Sequence, residues 1–177
     1  MLKGKLIFIL LLLISFGSIG QDLKYYHYET DFLSPSFYTG RREALRSLMP
    51  ENSVAIIFAN PERNRSNDND YPYHQHPDFY YLTGFTEPNS LLIISKEKIS
   101  CNEVSANEFL FVQNKNPKKE VWTGRRAGTE GAKSISGVQT IFYSSLFGPL
   151  FTFPKNCTIL YMKLPSGVVD DKLDAAD

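Results

Sequence analysis

Three scarcities limit what this chain can be. It has two cysteines, Cys101 and Cys157, which lack the CxxC spacing of a zinc or redox site and whose pairing the sequence leaves open. Its formal net charge is zero, because 19 basic residues balance 19 acidic ones. We therefore expect no nucleic-acid partner, since proteins that bind polyanions usually carry a basic excess. The sequence also has no nucleophile motif, P-loop or dinucleotide fingerprint, which argues against the enzyme classes that those motifs mark.

Long apolar runs are absent except at the amino terminus. Lys3 and Lys5 precede an unbroken apolar run over residues 6–14, and small residues follow it. This order predicts a secretory signal at residues 1–20, because the run is shorter than the about 20 residues that cross a bilayer. A retained membrane anchor is the alternative. We expect an exported protein, periplasmic or secreted, with no membrane attachment after cleavage.

Helix and strand patterns alternate after the signal. Residues 21–35 show no period and are predicted to form an extended arm. Apolar residues at helical spacing predict an amphipathic helix over residues 36–49, which Pro50 ends. The strands are expected at 54–59, 91–94, 109–112, 139–143 and 158–162, and a short helix at 129–136. Buried strands that alternate with amphipathic helices indicate an α/β domain with helices on the faces of its sheet.

Two segments carry the most distinctive motifs. The first holds RSND at 65–68, YPY at 71–73 and DFYYLTGFTEP at 78–88, and the second is VWTGRRAG at 121–128. This ordered set closely resembles the amino-terminal domain of aminopeptidase P, the metal-dependent Xaa-Pro aminopeptidase, over roughly residues 40–147. Agreement of several motifs in the same order makes the resemblance specific.

The resemblance implies a fold and an activity. The fold is a mixed β-sheet flanked by helices, of the creatinase type, over residues 36–165. The parent protein would be an exported metalloaminopeptidase that removes the residue before proline from the amino terminus of peptides. Two divalent metal ions, expected to be manganese, would be held by two aspartates, one histidine and two glutamates of a second, pita-bread domain that is absent from this chain. This chain alone is therefore expected to be inactive, with no catalytic residue or metal ligand.

The carboxyl-terminal residues concern the connection to that second domain. Residues 166–177 are polar and uncapped, and the resemblance implies that they begin the linker to the missing catalytic domain. Truncation of a longer protein is the first explanation for this tail. The alternative is a stand-alone, non-catalytic binding or oligomerisation module.

Three residues are the candidate site by resemblance. Asp68 would approach the active site of a neighbouring subunit and meet a peptide amino terminus or a partner arginine; a surface salt bridge is the alternative. Trp122, the only tryptophan, would cross a subunit interface and wall the pocket for peptides with proline in second position; core packing is the alternative. Arg125 would pair with an acidic residue of another subunit or lie solvated. These roles imply a homo-oligomer, either a dimer or a tetramer.

The TGF-x-EP stretch at residues 83–88 is predicted to be structural. Gly84 permits a tight turn, and Phe85 can pack beneath it. Most of the preceding tyrosine and phenylalanine residues are expected to belong to the same scaffold.

A metal site is conceivable beside this stretch. In an extended strand, His74, His76 and Asp78 would share one face, and imidazole and carboxylate groups suit zinc. Pro77 interrupts strand geometry, however, and the resembled family does not use these positions as ligands. We therefore expect both histidines to be solvated or hydrogen-bonded loop residues.

Overall fold

A mixed five-stranded sheet forms the centre of the domain. The computed structural model describes residues 33–67 and 69–161. The strands are β1 (Ser53–Phe58), β2 (Asn64–Ser66), β3 (Asn69–Asp70), β4 (Leu91–Cys101), β5 (Val104–Val112), β6 (Ile141–Tyr143) and β7 (Thr158–Tyr161). The main sheet has the order β6-β5-β4-β1-β7, while β2 and β3 form a separate hairpin. Strand β4 runs antiparallel to β1 and β5, and the outer strands β6 and β7 run parallel to their neighbours. The predicted mixed sheet is confirmed.

Five helices complete the described part of the chain. They are α1 (Pro35–Leu48), α2 (Pro77–Thr83), α3 (Pro117–Thr123), α4 (Gly128–Ser136) and α5 (Phe147–Leu150), with a 3-10 turn at Ser144–Leu146 before α5. None of these described helices is long and apolar enough to span a membrane. The predicted signal at 1–20, most of the predicted arm at 21–35 and the predicted linker at 166–177 lie outside the described residues.

The sheet buries both of its faces, as its continuous apolar strands require. Side chains alternate along a strand, so Ala55 and Ile57 of β1 face one core and Val54 and Ile56 face the other. Helices α1, α2 and α4 cover the first face through apolar side chains that include Leu82. A run of phenylalanines in and after α5 covers the second face, namely Phe147, Phe151 and Phe153.

The buried elements match the sequence-based expectations closely. The first helix and first strand are each displaced by one residue from the predictions at 36–49 and 54–59. Proline at the first position starts α1, and the helix ends at Leu48, ahead of Pro50. The patterns were accurate here because each of these elements has one apolar face or a fully apolar core run.

The central hairpin is longer than the sequence indicated. The predictions at 91–94 and 109–112 captured only the buried halves of β4 and β5, which continue into more polar and less buried outer halves. Asn102 and Glu103 join the strands with backbone φ angles of 48° and 65°. Two consecutive positive φ angles are typical of a type I′ hairpin turn, whose twist matches that of its strands.

A buried arginine connects the layers. The side chain of Arg42 in α1 is 0% exposed and its Nε lies 2.8 Å from Glu108 Oε2 of β5. Its Nη1 donates to the carbonyl oxygens of Leu82 at 2.8 Å and Ser136 at 2.9 Å, at the ends of α2 and α4. Arg46 holds the other Glu108 oxygen at 2.8 Å. One guanidinium thus fixes three helices against the sheet.

Both cysteines are free thiols. Cys101 is buried in the phenylalanine-rich core, where burial raises the pKa of its thiol. Cys157 is half-buried and packs against the same core. The disulfide that the sequence left open is not formed in the structure.

Candidate functional site

The TGF-x-EP stretch has the structural role that its sequence predicts. Gly84 caps α2 in the left-handed region with a φ of 65°, and a side chain there would meet the ring of Tyr38. Phe85 follows the turn and is 1% exposed. Thr83 fixes the turn, because its Oγ1 donates to the Phe79 carbonyl and accepts from the Phe85 N–H. The stretch is a rigid entry to β4.

Gln75 connects the preceding loop to this frame. Its Nε2 donates to the carbonyl oxygens of Phe85 at 3.2 Å and Glu87 at 3.0 Å. Its Oε1 accepts hydrogen bonds from the Tyr73 hydroxyl at 2.8 Å and the Asn60 N–H at 3.1 Å. The same Oε1 accepts from the His76 N–H at 2.8 Å, so one amide side chain joins the YPY loop to Asn60 and to the TGF-x-EP stretch. Nothing in the sequence singled out this glutamine.

A cavity of about 300 Å³ lies beside the loop. Its lining consists of Asn60, Pro61, Arg63, Tyr71, Pro72, Tyr73 and His74. Burial, with a smaller effect from Glu62, holds the pKa of the Tyr73 hydroxyl well above its usual range, so that hydroxyl remains a protonated donor. Ring faces with a few polar groups are typical of small-ligand sites.

The hairpin of β2 and β3 lies in sequence between the cavity-lining residues Arg63 and Tyr71 and is exposed. Asn64 closes it, because its Nδ2 donates to the Asn67 carbonyl at 3.0 Å and to Asp70 Oδ1 at 3.1 Å. The Arg65 guanidinium lies 6.0 Å from the ring centroid of Tyr71. Asp68, the predicted acidic contact of this hairpin, lies outside the described residues.

The zinc hypothesis at the two histidines does not fit the geometry. His76 is the N-cap of α2, and its Nδ1 accepts a hydrogen bond from the Asp78 N–H at 3.3 Å. Asp78 is already helical, so the shared face of an extended strand does not exist. His74 is exposed, as expected of a solvated loop residue. Within residues 33–67 and 69–161, no group of three or more His, Cys, Asp or Glu side chains could hold a metal ion.

Trp122 stands away from the core of the domain. Its side chain is 89% exposed, and that of its neighbour Val121 is 78% exposed. Helix α3, which carries both, has no buried residue. The core-packing alternative is therefore wrong for this structure. The glycines and arginines that follow Trp122 are typical of an exposed turn, but the tryptophan itself lies in the last turn of a short helix that begins at Pro117.

Gly124 redirects the chain directly after this helix. Its φ of 87° and ψ of 166° fall in a region that is essentially restricted to glycine. Arg125 follows in an exposed position, and Arg126 is half-buried. The turn therefore presents Trp122 and Arg125 on one exposed segment.

Glu120 holds the two ends of this segment together through hydrogen bonds. Its Oε1 accepts a hydrogen bond from the Asn116 N–H at 2.7 Å, and its Oε2 accepts one from the Arg126 N–H at 3.4 Å. Asn116 in turn caps α3, because its side-chain oxygen accepts from the Lys119 N–H at 3.2 Å. The Arg126 guanidinium donates to the Asn114 carbonyl at 2.6 Å. One carboxylate thus joins the start of α3 to the arginine pair beyond its end.

Glu87 joins the two motif segments. Its Oε1 accepts a short hydrogen bond from the Ala127 N–H. Its Oε2 is buried and has no hydrogen-bond partner among the described residues. Burial raises the pKa of this carboxyl, although the Ala127 hydrogen bond and the positive charges of Arg126 and Lys115 oppose the rise. The sequence predicted a structural role for Glu87 but gave no sign of its partner.

Comparison with known proteins identifies the family. The profile of the aminopeptidase P, N-terminal domain, matches residues 38–153. The Xaa-Pro aminopeptidase of Escherichia coli is 35% identical over 130 residues, which cover 73% of this chain and 29% of that enzyme. Intermediate cleaving peptidase 55 of Schizosaccharomyces pombe is 36% identical over 117 residues, which cover 66% of this chain and 24% of that protein. The solved structure of E. coli aminopeptidase P with the inhibitor Pro-Leu is 36% identical, with a TM-score of 0.58 over 67% of this chain and 26% of that chain.

The matched region contains the parts that define the candidate site. The chain spans less than a third of the length of these relatives. Residues 38–153 include both motif segments and every strand of the main sheet except β7. Sequence motifs, sheet architecture and the family profile agree, and the chain belongs to the aminopeptidase P N-terminal domain family.

Proposed function

We propose that this chain is the amino-terminal domain of an exported Xaa-Pro aminopeptidase, which removes the residue that precedes proline at the amino terminus of peptides. In this proposal the domain supplies subunit contacts in a homo-oligomer and part of the wall of the substrate pocket. The relatives named Xaa-Pro aminopeptidase support the activity. The single observation that carries the role of the domain is the exposure of Trp122, at 89%.

An exposed tryptophan on a braced segment is suited to binding. Trp122 and Val121 together present a large apolar surface that the domain itself leaves uncovered. Tryptophan and arginine are the residues most enriched at the energetic centres of interfaces, and Arg125 follows three residues later. An indole face can also pack against a proline ring, which would help select proline in the second position of a peptide.

In this proposal the metal chemistry belongs to another part of the parent enzyme. The described residues contain no cluster that fits the two divalent ions, manganese in our proposal, and we assign no reaction step to this chain. The ions would lie in a part of the parent enzyme that the matched relatives possess beyond the length of this chain. The contribution of this domain is then positional, because it restricts which peptides reach the reacting centre.

A substitution of Trp122 in the parent enzyme tests this role. Trp122→Ala is expected to lower kcat/KM for a Xaa-Pro tripeptide by roughly 10-fold to 100-fold, as for the loss of an aromatic anchor at an interface. Trp122→Phe should retain most of the activity, since it keeps an aromatic face. Val104→Ala provides a control at another exposed apolar residue, 41% exposed in β5. Unchanged kinetics and unchanged subunit assembly in Trp122→Ala would overturn the proposed role.

A second outcome would identify the alternative. If the native protein that carries this chain assembles through the Trp122 surface but releases no residue from any Xaa-Pro peptide, the chain acts as a non-catalytic binding module. The same measurements thus separate the two functions.

A further inference from the structure

The orientation of Trp122 needs an explanation, because packing does not provide one. Helix α3 has seven residues and buries none of them. Isolated helices of this length are not stable in water, and most helices in proteins are held by a buried apolar face. The exposed pair Val121 and Trp122 must therefore be held by polar contacts.

Those contacts form two groups. Glu120, Asn116 and Arg126 tie the segment to itself, as described above. These bonds give the segment a shape, but all of them lie between residues 114 and 126, so they do not fix its direction relative to the sheet. A contact from outside the segment is required for that.

Glu87 provides the contact. Its Oε1 accepts from the Ala127 N–H at the point where the segment meets α4. The Glu87 backbone is itself fixed, because its carbonyl accepts from Gln75 at 3.0 Å. Two residues later, the Asn89 N–H donates to the Asn60 carbonyl at 3.2 Å, beside the end of β1. Asn114, at the start of the segment, also accepts a hydrogen bond from Ser145 Oγ at 3.0 Å, but Glu87 is the contact that fixes the end of the segment after Trp122.

This arrangement carries a cost in stability. The Oε2 of Glu87 is buried without a hydrogen-bond partner among the described residues, and burial of an unsatisfied polar atom is unfavourable. A carboxylate held at such a cost indicates a requirement other than stability, which at this place is the direction of the exposed segment.

We infer that Glu87 is a positioning residue that orients the Trp122 segment through the Ala127 N–H and thereby sets the shape of the proposed pocket wall. The inference concerns the orientation of Trp122 and rests on the proposed function only for the use of that orientation. It gives the TGF-x-EP motif a second role besides its turn, because its glutamate couples the first motif segment to the second.

The single tryptophan makes the orientation measurable in the complete 177-residue chain. Time-resolved fluorescence anisotropy of Trp122 separates fast local motion of the indole from tumbling of the whole molecule. In Glu87→Ala, the amplitude of fast motion is expected to rise roughly twofold, because loss of the tether allows nanosecond motion of the segment. Glu87→Gln keeps an oxygen acceptor for the Ala127 N–H and should restore the unsubstituted value. Glu43→Gln, at an exposed position of α1, is the matched control and should leave the decay unchanged.

The result that overturns the inference is an unchanged amplitude in Glu87→Ala with a native circular dichroism spectrum. An equal rise in Glu87→Gln would also overturn it, since the acceptor would then be irrelevant. If Glu87→Ala does not fold, amide hydrogen exchange in the unsubstituted chain decides the question. Protection of the Ala127 N–H by at least roughly tenfold is expected, and exchange at the rate of a free amide would refute the tether.

These outcomes are independent of the proposed function. Anisotropy and exchange require neither peptide nor metal. Because a subunit contact at Trp122 would also restrain the indole, the fast amplitudes are compared at a concentration at which sedimentation shows the unsubstituted chain and each variant to be monomeric. An ordered Trp122 that proves irrelevant to peptide hydrolysis would leave the tether intact and refute the pocket wall. A mobile Trp122 that is essential for hydrolysis would refute the tether and support the pocket wall.

Discussion

At the residue scale, two glutamates of this domain behave in opposite ways. Glu108 has both oxygens paired, one with Arg42 and one with Arg46, each at 2.8 Å. Glu87 has one backbone donor and one buried oxygen without a partner among the described residues. The first arrangement holds the helices on the sheet, whereas the second holds the exposed Trp122 segment at the expense of stability.

Substitution of the two arginines at Glu108 should have unequal effects. Arg42→Met is expected to lower the free energy of unfolding by about 3–5 kcal/mol, because the carbonyl oxygens of Leu82 and Ser136 lose their buried donor. Arg46→Met should cost about 1 kcal/mol or less, since its side chain is 24% exposed and Glu108 keeps Arg42. Urea unfolding of both variants measures the difference. Equal losses would show that the buried carbonyl contacts add nothing.

The roles of some of these residues could be predicted from the sequence, and the roles of others could not. Gly84 and Phe85 were predictable, because a turn glycine followed by an aromatic residue has a single simple interpretation. Arg42 looked like an ordinary polar residue of an amphipathic helix, and it is 0% exposed. Glu87 and Gln75 act through partners distant in sequence, and no local pattern encodes such contacts.

At the element scale, the short helices α2 and α3 explain the main departures from prediction. Each has seven residues and starts with a proline after a capping side chain, His76 for α2 and Asn116 for α3. Seven residues are too few to show an apolar period, and α3 buries none of its residues. The capping residues and the prolines that follow them are visible in the sequence, and they are the signal that could have predicted both helices.

The turn after α3 should depend on glycine for backbone reasons alone. A side chain at Gly124 would meet nothing within 4 Å, yet its φ of 87° is accessible essentially only to glycine at this ψ. Gly124→Ala is therefore expected to lower the free energy of unfolding by about 1–3 kcal/mol. Gly40 of α1 is the matched control, because it also has open space around it. Gly40→Ala should stabilise the protein by about 0.5–1 kcal/mol, as usual for a helix interior. Equal unfolding free energies in the two variants would contradict the strained turn.

At the scale of the whole molecule, the sheet and its two cores followed from the sequence, while the arrangement of the site did not. Apolar runs such as residues 54–59 predict strands that are buried on both faces, because any other placement would expose their side chains. The parallel pairing of β1 with β7 joins strands about a hundred residues apart along the chain, and periodicity carries no information on such pairings. The mixed sheet was predicted from the family resemblance, and the match to the family profile confirms that resemblance.

The place of Asp68 and the oligomeric state stay predictions. Asp68 lies outside the described residues, and Arg125 is exposed in the single chain. Their proposed partners belong to a second subunit. The proposed roles of Asp68 and Arg125 can therefore be tested only through the activity and assembly of the protein that carries this domain.

The most direct test is the release of the first residue from a Xaa-Pro tripeptide by the native protein that carries this chain, assayed before and after removal of divalent metals. We expect release by the untreated protein, loss of release after chelation, and recovery when manganese is returned. Absence of release from the untreated protein, or release that chelation leaves unchanged, would contradict the assignment to a metal-dependent Xaa-Pro aminopeptidase.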